Sequence, residues 1–150
     1  MNRKYVKVVY DCETQLKLRN WCIENGFNLD VNYSGFPQEI DDFEFHSTVI
    51  YSKNIVDGFE NKIIEVNKTK VKPVEFRLFG EEENIPVLII ESEHINSLHS
   101  WCEYHGLIDY WEDYIPHISL SYSPIKDISN KKLPDFELYY DTIVIEDLIE

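Results

Sequence analysis

The chain has 150 residues, of which 43% are hydrophobic and 14% aromatic, and its formal net charge at pH 7 is −14. This length and apolar content fit one folded domain and exclude a disordered chain. The acidic charge argues against a protein that tracks along DNA or RNA, because such proteins gain affinity by neutralising phosphates with Lys and Arg. It does not exclude a small anionic ligand bound in a local cleft.

The cysteine content and the lengths of the apolar runs indicate where in the cell the protein is located. Cys12, Cys22 and Cys102 form no CxxC pair and are odd in number, which favours a reduced intracellular protein. The N-terminal segment lacks an apolar run long enough for a signal peptide, and no stretch approaches the roughly 20 apolar residues of a membrane span. We therefore predict a cytoplasmic protein that does not bind a membrane.

The first elements in the chain are a predicted strand and a predicted helix. Val6, Val8 and Val9 form a β-rich segment. Asp11 is a suitable N-cap for a helix that ends near Gly26, because glycine readily takes the left-handed conformation that closes helices.

A long connection then leads to "HSTVIYS" (46–52), which we predict as a strand. Beyond it, apolar residues spaced from 55 to 66 fit a further helix, although Gly58 weakens this pattern. Additional strand candidates lie at 74–80 and, near the end of the chain, at 136–148.

The second half starts the same sequence of elements again. A strand is predicted at 87–92, followed by a helix that Ser92 caps and Gly106 ends. The segment "HISLSYS" (117–123) is predicted as a strand. On such a strand Ser119, Ser121 and Ser123 share a face with the histidine, and Tyr122 lies on the other face.

An internal repeat connects the two halves. "LRNWCIENG" (18–26) and "LHSWCEYHG" (98–106) share the frame Leu, two residues, Trp-Cys, three residues, Gly, at an offset of 80 residues from Leu18 to Leu98. No linker separates the halves, so we predict one α+β domain over 1–150. It would consist of two duplicated strand–helix–strand lobes, from about 1–70 and 71–150, related by a pseudo-two-fold axis.

The two heptads carry the candidate chemistry. His46 and Thr48 alternate onto one strand face, with Ile50 beyond them, and His117 and Ser119 do the same in the second copy. Lobes related by a two-fold axis would bring both pairs to one cleft. One neutral histidine can accept a proton while the other donates one, and the hydroxyls can stabilise charge on a phosphate. This pattern predicts metal-independent attack at phosphorus.

The paired H-x-[ST] strands in a duplicated chain resemble the two-histidine phosphoesterase superfamily, which includes RNA 2′,3′-cyclic phosphodiesterases and ligase-like proteins and acts without a metal. Within it, the short, acidic, Tyr- and Trp-rich chain is most similar to the phage anti-CBASS nucleases, which destroy cyclic di- and trinucleotide signals of bacterial immunity. This resemblance implies cleavage of 3′–5′ bonds in molecules such as cyclic GMP–AMP in the host-cell cytoplasm. It also implies a ribose 2′-hydroxyl as nucleophile and no cofactor.

The same resemblance implies that an aromatic residue on a central strand stacks on a base and that a late acidic residue contacts the ligand. The positions that match best are Phe76 and Glu146, together with Tyr10 on the first strand. Trp111, just before the second heptad, is a further residue that could stack on a base or belong to the core.

Other interpretations of the sequence are a metal site and two other functions. His99, Cys102 and His105 are spaced by three residues, but Cys102 lies in the repeated core stripe and no further ligands complete a zinc site, so no metal is predicted.

The alternative enzyme is a 2′,3′-cyclic phosphodiesterase acting on RNA ends or small nucleotides. The alternative of another class is an acidic nucleotide sponge or DNA mimic, which leaves the matched H-x-[ST] strands unexplained. The oligomeric state and the base and acid roles of the histidines stay open.

Overall fold

A computed structural model describes residues 2–148, so Met1 and residues 149–150 of the predicted domain lie outside the described residues. Within this range the protein is α+β, with a six-stranded antiparallel sheet and two α-helices. In chain order the elements are β1 (Lys4–Tyr10), α1 (Cys12–Glu24), a 3₁₀ turn (Ile40–Asp42), β2 (His46–Tyr51), β3 (Lys62–Phe79), β4 (Ile85–Glu91), α2 (Glu93–Tyr104), β5 (His117–Ser119) and β6 (Leu138–Asp147).

The sheet has the strand order β2-β1-β6-β3-β4-β5. β3 is 18 residues long and its register shifts between Glu65 and Thr69. β3 pairs with β6 on both sides of this irregularity, at 62–65 and at 69–71, and the rest of the strand, 72–79, pairs with β4. Although β2 and β5 stand at opposite ends of the strand order, they contact each other. The twist and the irregular register therefore curl the sheet until its two edge strands meet.

β1 shows how alternation divides the sheet into two faces. Val6, Val8 and Tyr10 are buried in the core, whereas Tyr5 and Lys7 lie on the other, half-exposed face. We call this second face of β1, which carries Tyr5 and Lys7, the cleft face, together with the same face of the neighbouring strands β2 and β6.

Both helices begin and end as the sequence predicts. The side chain of Asp11 accepts a hydrogen bond from the first turn of α1, and Ser92 does the same for α2. Gly26 and Gly106 follow the helices with φ values of 79° and 97°, a region that side chains other than glycine's rarely adopt. Neither helix, nor any other in the described range, is long and apolar enough to cross a membrane.

Each helix packs on strands from the other half of the chain. In α1, the Sγ of Cys22 donates to the backbone oxygen of Leu120, and Trp21 stacks on Phe76 of β3. In the second half, α2 contacts β2. Cys22 and Cys102, at matching positions of the repeat, are both fully buried.

The sequence repeat therefore corresponds to a repeated order of elements, β1-α1-β2 and β4-α2-β5. β3 spans the boundary between 70 and 71, so both halves contribute to one continuous sheet. A true duplication about a two-fold axis stays a prediction.

The helix predicted over 55–66 is wrong. Residues 53–61 form turns and loop, and β3 begins at Lys62. Gly58 has a φ of 82°, which interrupts a helix. The apolar residues beyond it, such as Ile63 and Ile64, pair with β6 instead, so a long-range partner overrides the local spacing.

Both heptads depart from simple alternation. In β2 the register shifts, and Val49 and Ile50 are consecutively buried, so Ile50 lies in the core rather than beyond Thr48. In the second heptad β5 ends at Ser119. Ser121 is buried and donates to the backbone oxygen of Asn28 instead of sharing the face of the histidine.

Candidate active site

The structure brings the two H-x-[ST] pairs together. His46 begins β2 and His117 begins β5, the two edge strands that contact each other. In the register with β1, Thr48 stands opposite Lys7, so the first pair lies on the cleft face. The second pair lies close enough for the charge of His117 to act on His46. His46 and His117, which are 71 positions apart in the sequence, thus lie near each other where the two edge strands meet.

Each histidine is oriented by a backbone oxygen two residues earlier. His46 Nδ1 lies 3.3 Å from the backbone oxygen of Glu44, and His117 Nδ1 lies 2.8 Å from that of Ile115. A carbonyl oxygen only accepts hydrogen bonds, so Nδ1 carries the hydrogen in both rings. In the neutral ring Nε2 then holds a lone pair that can take a proton.

The surroundings of both histidines favour the neutral ring. Burial, with a further contribution from the charge of Lys7, lowers the pKa of His46 to about 4, although Glu44 acts in the opposite direction. Burial also lowers the pKa of His117, against the effect of its hydrogen bond to Ile115. In the free protein at neutral pH both rings are therefore ready to accept a proton.

A tyrosine accompanies each hydroxyl of the two pairs. Tyr5 OH lies 2.8 Å from Thr48 Oγ1, and the side chain of Ser119 is close enough to Tyr122 to affect the pKa of its phenol. Burial raises the pKa of both phenols, so each keeps its proton. The sequence patterns gave Tyr5 no role, and they predicted Tyr122 on the strand face opposite Ser119, which is wrong. Tyr5 could have been found from the sequence, because it alternates with the core residues of β1 and so lies on the other face of the strand. Tyr122 could not, because it reaches Ser119 only where β5 ends early.

Exposed aromatic rings contact the neighbours of both pairs. Trp111 is 56% exposed and its ring lies 5.5 Å from that of Tyr51 in β2. Tyr33 is 76% exposed, and its ring lies 6.1 Å from that of Tyr122. The ring of Phe79 lies 4.8 Å from that of His117. Exposed rings near both pairs are surfaces on which nucleobases can stack.

Charged side chains surround the first pair. Lys7 Nζ lies 3.0 Å from Glu44 Oε1 and 3.6 Å from Glu146 Oε1. Glu146 stands opposite Tyr5 in the register of β6 with β1, so it is on the cleft face, as a ligand-contacting residue would be. In this structure, however, its carboxylate contacts a lysine.

Comparison with known proteins adds a family to this geometry. The family model of the anti-CBASS protein Acb1 matches residues 2–150. The chain belongs to this family. Its membership supports a role in the evasion of CBASS immunity by phages. A search of the curated proteins found no match to the chain.

For this family member, the structure does not bring two of the proposed substrate-binding residues to the cleft. Tyr10 is 2% exposed, and its hydroxyl is hydrogen-bonded to Ser47 in the core, because alternation along β1 puts it on the same face as Val8. Phe76 stacks on Trp21 of α1 on the helix side of the sheet. Both placements correct the expectation from the sequence.

The spaced residues of α2 do not form a metal site. His99 Nε2 lies 3.0 Å from Asp109 and its Nδ1 lies 3.2 Å from Glu103, whereas Cys102 is buried in the core. Among residues 2–148, no group of three His, Cys, Asp or Glu side chains is arranged to hold a metal ion.

Proposed function

We propose that this member of the anti-CBASS family is a metal-independent phosphodiesterase that cleaves 3′–5′ bonds of cyclic oligonucleotide signals such as cyclic GMP–AMP. The observation that carries the proposal is the meeting of two H-x-[ST] pairs on contacting edge strands, each histidine presenting Nε2. Destruction of the signal in the host cytoplasm would explain how the protein counteracts CBASS. The proposal includes membership of the two-histidine phosphoesterase superfamily.

The reaction we propose is an in-line displacement at phosphorus. His46 Nε2 takes the proton of a ribose 2′-hydroxyl, and that oxygen forms a bond to the adjacent phosphorus. The bond from phosphorus to the 5′ oxygen breaks, and protonated His117 gives its Nε2 proton to this leaving oxygen. The products are a 2′,3′-cyclic phosphate end and a 5′-hydroxyl.

The roles of the histidines follow from their surroundings. Burial and Lys7 together hold His46 in the neutral form that a base requires. Burial lowers the pKa of His117, whereas an anionic phosphate in the cleft would favour its protonated form. His46 is therefore assigned as base and His117 as acid.

The hydroxyls would stabilise the charge that grows on the non-bridging oxygens. When Tyr5 OH donates to Thr48 Oγ1, the hydrogen of Thr48 is directed elsewhere and can point at the phosphate. Tyr122 can orient Ser119 in the same way. Donors that are oriented in advance stabilise a transition state more than donors that must reorient.

The surroundings of the cleft favour a small substrate with more than one base. Trp111 and Tyr33 offer two separate exposed rings, one that contacts Tyr51 and one that contacts Tyr122. The net charge of −14 opposes long polyanions. A cyclic di- or trinucleotide satisfies both conditions, whereas a 2′,3′-cyclic mononucleotide would use only one ring.

One assay in EDTA tests this proposal, with cyclic dinucleotides, cyclic trinucleotides and a 2′,3′-cyclic mononucleotide as substrates. We expect linear products from the cyclic oligonucleotides, and a loss of about 10²- to 10⁴-fold in kcat for His46→Ala and for His117→Ala. The matched control is His105→Ala, an exposed histidine packed against Trp101 of α2.

Other results would lead to other functions. Cleavage of the mononucleotide alone would favour the 2′,3′-cyclic phosphodiesterase, and tight binding without turnover would favour a sponge. Loss of activity on chelation would contradict the metal-independent mechanism.

A further inference from the structure

Lys7 is a shielded cation beside the first H-x-[ST] pair. It stands opposite Thr48 in the register of β1 with β2, and its side chain is 17% exposed. Its ammonium group is held between the carboxylates of Glu44 and Glu146 at 3.0 and 3.6 Å. None of the sequence motifs includes this lysine.

The lysine and the first histidine belong to one charged network. Glu44 Oε1 contacts both Lys7 Nζ and, at 3.5 Å, His46 Nδ1. The carboxylates of Glu44 and Glu146 give the network two negative charges against the one positive charge of Lys7. The network is therefore negative overall and repels an anionic phosphate. A phosphate can approach His46 only if Lys7 gives up one of its carboxylate partners.

Exposure indicates which members of the network can change partners. The side chains of Glu44 and Glu146 are 46% and 48% exposed and can turn toward solvent, whereas Lys7 is largely enclosed. A carboxylate that turns outward regains its hydration, and the lysine is left facing the cleft with an open hydrogen-bonding position.

We propose that Lys7 binds a non-bridging oxygen of the scissile phosphodiester, in exchange for one of the two carboxylates that hold it in the free protein. This inference rests on the proposed phosphodiesterase function and adds a residue to it. In the free protein Glu44 and Glu146 keep the ammonium group in position, and in the complex the phosphate oxygen replaces one of them. The same positive charge contributes to keeping His46 neutral.

Lys4 on the same strand is a matched control. Its side chain is 11% exposed, and its ammonium group lies 2.6 Å from Asp147 Oδ1, so it is a shielded lysine paired with a carboxylate. It is buried on the core side of β1, three residues before Lys7 and away from the cleft face.

The experiment compares Lys7→Met, Lys7→Arg and Lys4→Met. For Lys7→Met we expect kcat/KM for cyclic GMP–AMP to fall about 10- to 100-fold, the usual effect of losing a hydrogen bond to a charged group. Lys7→Arg should recover most of this loss, because the positive charge is kept. Lys4→Met should keep the wild-type kcat/KM even if it unfolds at a lower temperature.

The pH profile provides a readout that a merely structural lysine would not change. The charged groups that face His46 are Lys7 from β1, Glu44 from the preceding loop and His117 from β5. Removal of the lysine charge raises the pKa of His46, so in Lys7→Met the acid limb of kcat/KM should move to higher pH. Lys4→Met should leave this limb in place.

A binding measurement separates this inference from the proposed function. In the His117→Ala background, where turnover is blocked, calorimetry with cyclic GMP–AMP should show about tenfold weaker binding when Lys7 is also replaced by Met. Unchanged affinity, or a wild-type kcat/KM with an unmoved acid limb in Lys7→Met, would overturn the inference while leaving the phosphodiesterase intact. If replacing Lys7 weakens binding but the wild-type protein does not cleave cyclic GMP–AMP, Lys7 is a phosphate ligand and the proposed phosphodiesterase function is rejected. If Lys7→Met does not fold, Lys7→Gln takes its place with the same expectations.

Discussion

At His46 and His117, a hydrogen bond from Nδ1 to the backbone sets the direction in which each ring faces, and burial sets its charge. Because both contacts go to the carbonyl oxygen two residues earlier, the same local geometry appears at both edge strands. The rings differ in their neighbours, since Lys7 adds to the effect of burial at His46. In the proposed mechanism, this difference allows two histidines with matching H-x-[ST] motifs to take opposite roles.

The pH dependence of activity follows from these shifts. In the mechanism that we propose, the active form of the free protein has neutral His46 and protonated His117. Activity should fall at low pH, because His46 becomes protonated near its pKa of about 4. It should also fall as the pH rises, because His117 loses its proton at a pKa that lies below the usual value of about 6.5. We expect a bell-shaped profile of kcat/KM with its maximum on the acidic side of neutrality.

The measurement is kcat/KM for cyclic GMP–AMP between about pH 3.5 and 8. In His46→Ala and in His117→Ala the limb that belongs to the missing ring should disappear from the residual activity. A flat profile, or a maximum well above pH 7, would contradict an acid–base pair with lowered pKa values.

At the scale of elements, the two helices offer a comparison of N-caps. Asp11 accepts a hydrogen bond from Thr14 N at 2.8 Å, and Ser92 accepts one from Ile95 N at 3.1 Å. Burial alone would raise the pKa of Asp11, but the hydrogen bonds with Thr14 and the charge of Lys68 outweigh it, and the pKa is lowered. The cap of α1 therefore titrates, whereas the cap of α2 does not.

We expect Asp11→Ala to lower the free energy of unfolding by about 1 kcal/mol at neutral pH, as is typical for the loss of an N-cap. Because the folded-state pKa is depressed, the charged Asp11 stabilises the protein above its unfolded-state pKa. This contribution is lost as the pH falls through the folded-state pKa. The difference between wild type and variant should therefore shrink in acid.

Urea denaturation at neutral pH and near pH 3 measures this difference, with Ser92→Ala as the control. The cost of Ser92→Ala should be similar at both pH values, because a serine hydroxyl does not titrate in this range. An Asp11→Ala effect that stays constant with pH would show that the charge of Asp11 contributes nothing.

Elements also differ in how well the sequence determines them. The helix boundaries were predictable from Asp11, Ser92 and the two glycines, because caps act within one turn. The strand β3 (Lys62–Phe79) was predicted only in its last part, as the strand at 74–80. Its first part was missed, because the apolar spacing of 55–66 fits a helix locally and only pairing with β6 makes residues from Lys62 onward a strand. The face of Ile50 in β2 was misjudged for a similar reason, since the register shift depends on the pairing with β1. The strand predicted over 117–123 was too long, because β5 ends at Ser119.

At the scale of the whole molecule, the net charge of −14 restricts the polymers that can approach. A long nucleic acid would bring many phosphates against an acidic surface. In the function that we propose, a cyclic dinucleotide would bring only two phosphates, into a cleft that contains Lys7. We therefore expect a single-stranded RNA of about 20 nucleotides, even in large excess, to leave the cleavage of cyclic GMP–AMP unchanged at physiological salt.

Competition assays with this RNA and with an unlabelled cyclic dinucleotide measure the effect. The dinucleotide should compete in proportion to its concentration, which serves as the positive control. Inhibition by the RNA at concentrations similar to the substrate would contradict the expectation and favour an enzyme that acts on RNA ends.

The sequence by itself determined the α+β class and both helices, and it identified the four residues of the H-x-[ST] pairs. These features depend on composition, on caps within a helical turn and on alternation within a strand, all of which are local. The meeting of the pairs was a hypothesis until the curled sheet placed β2 against β5.

Only the tertiary structure decided which other side chains surround these pairs. Tyr5, Lys7 and Glu146 reach the first pair through the pairing of β1 with β2 and β6, and Tyr10 and Phe76 are drawn into the core by the packing of the helix side. Such contacts join residues far apart in the chain, and a register change of one residue would reverse them. For this reason a motif could identify the histidines, whereas their chemical surroundings required the folded chain.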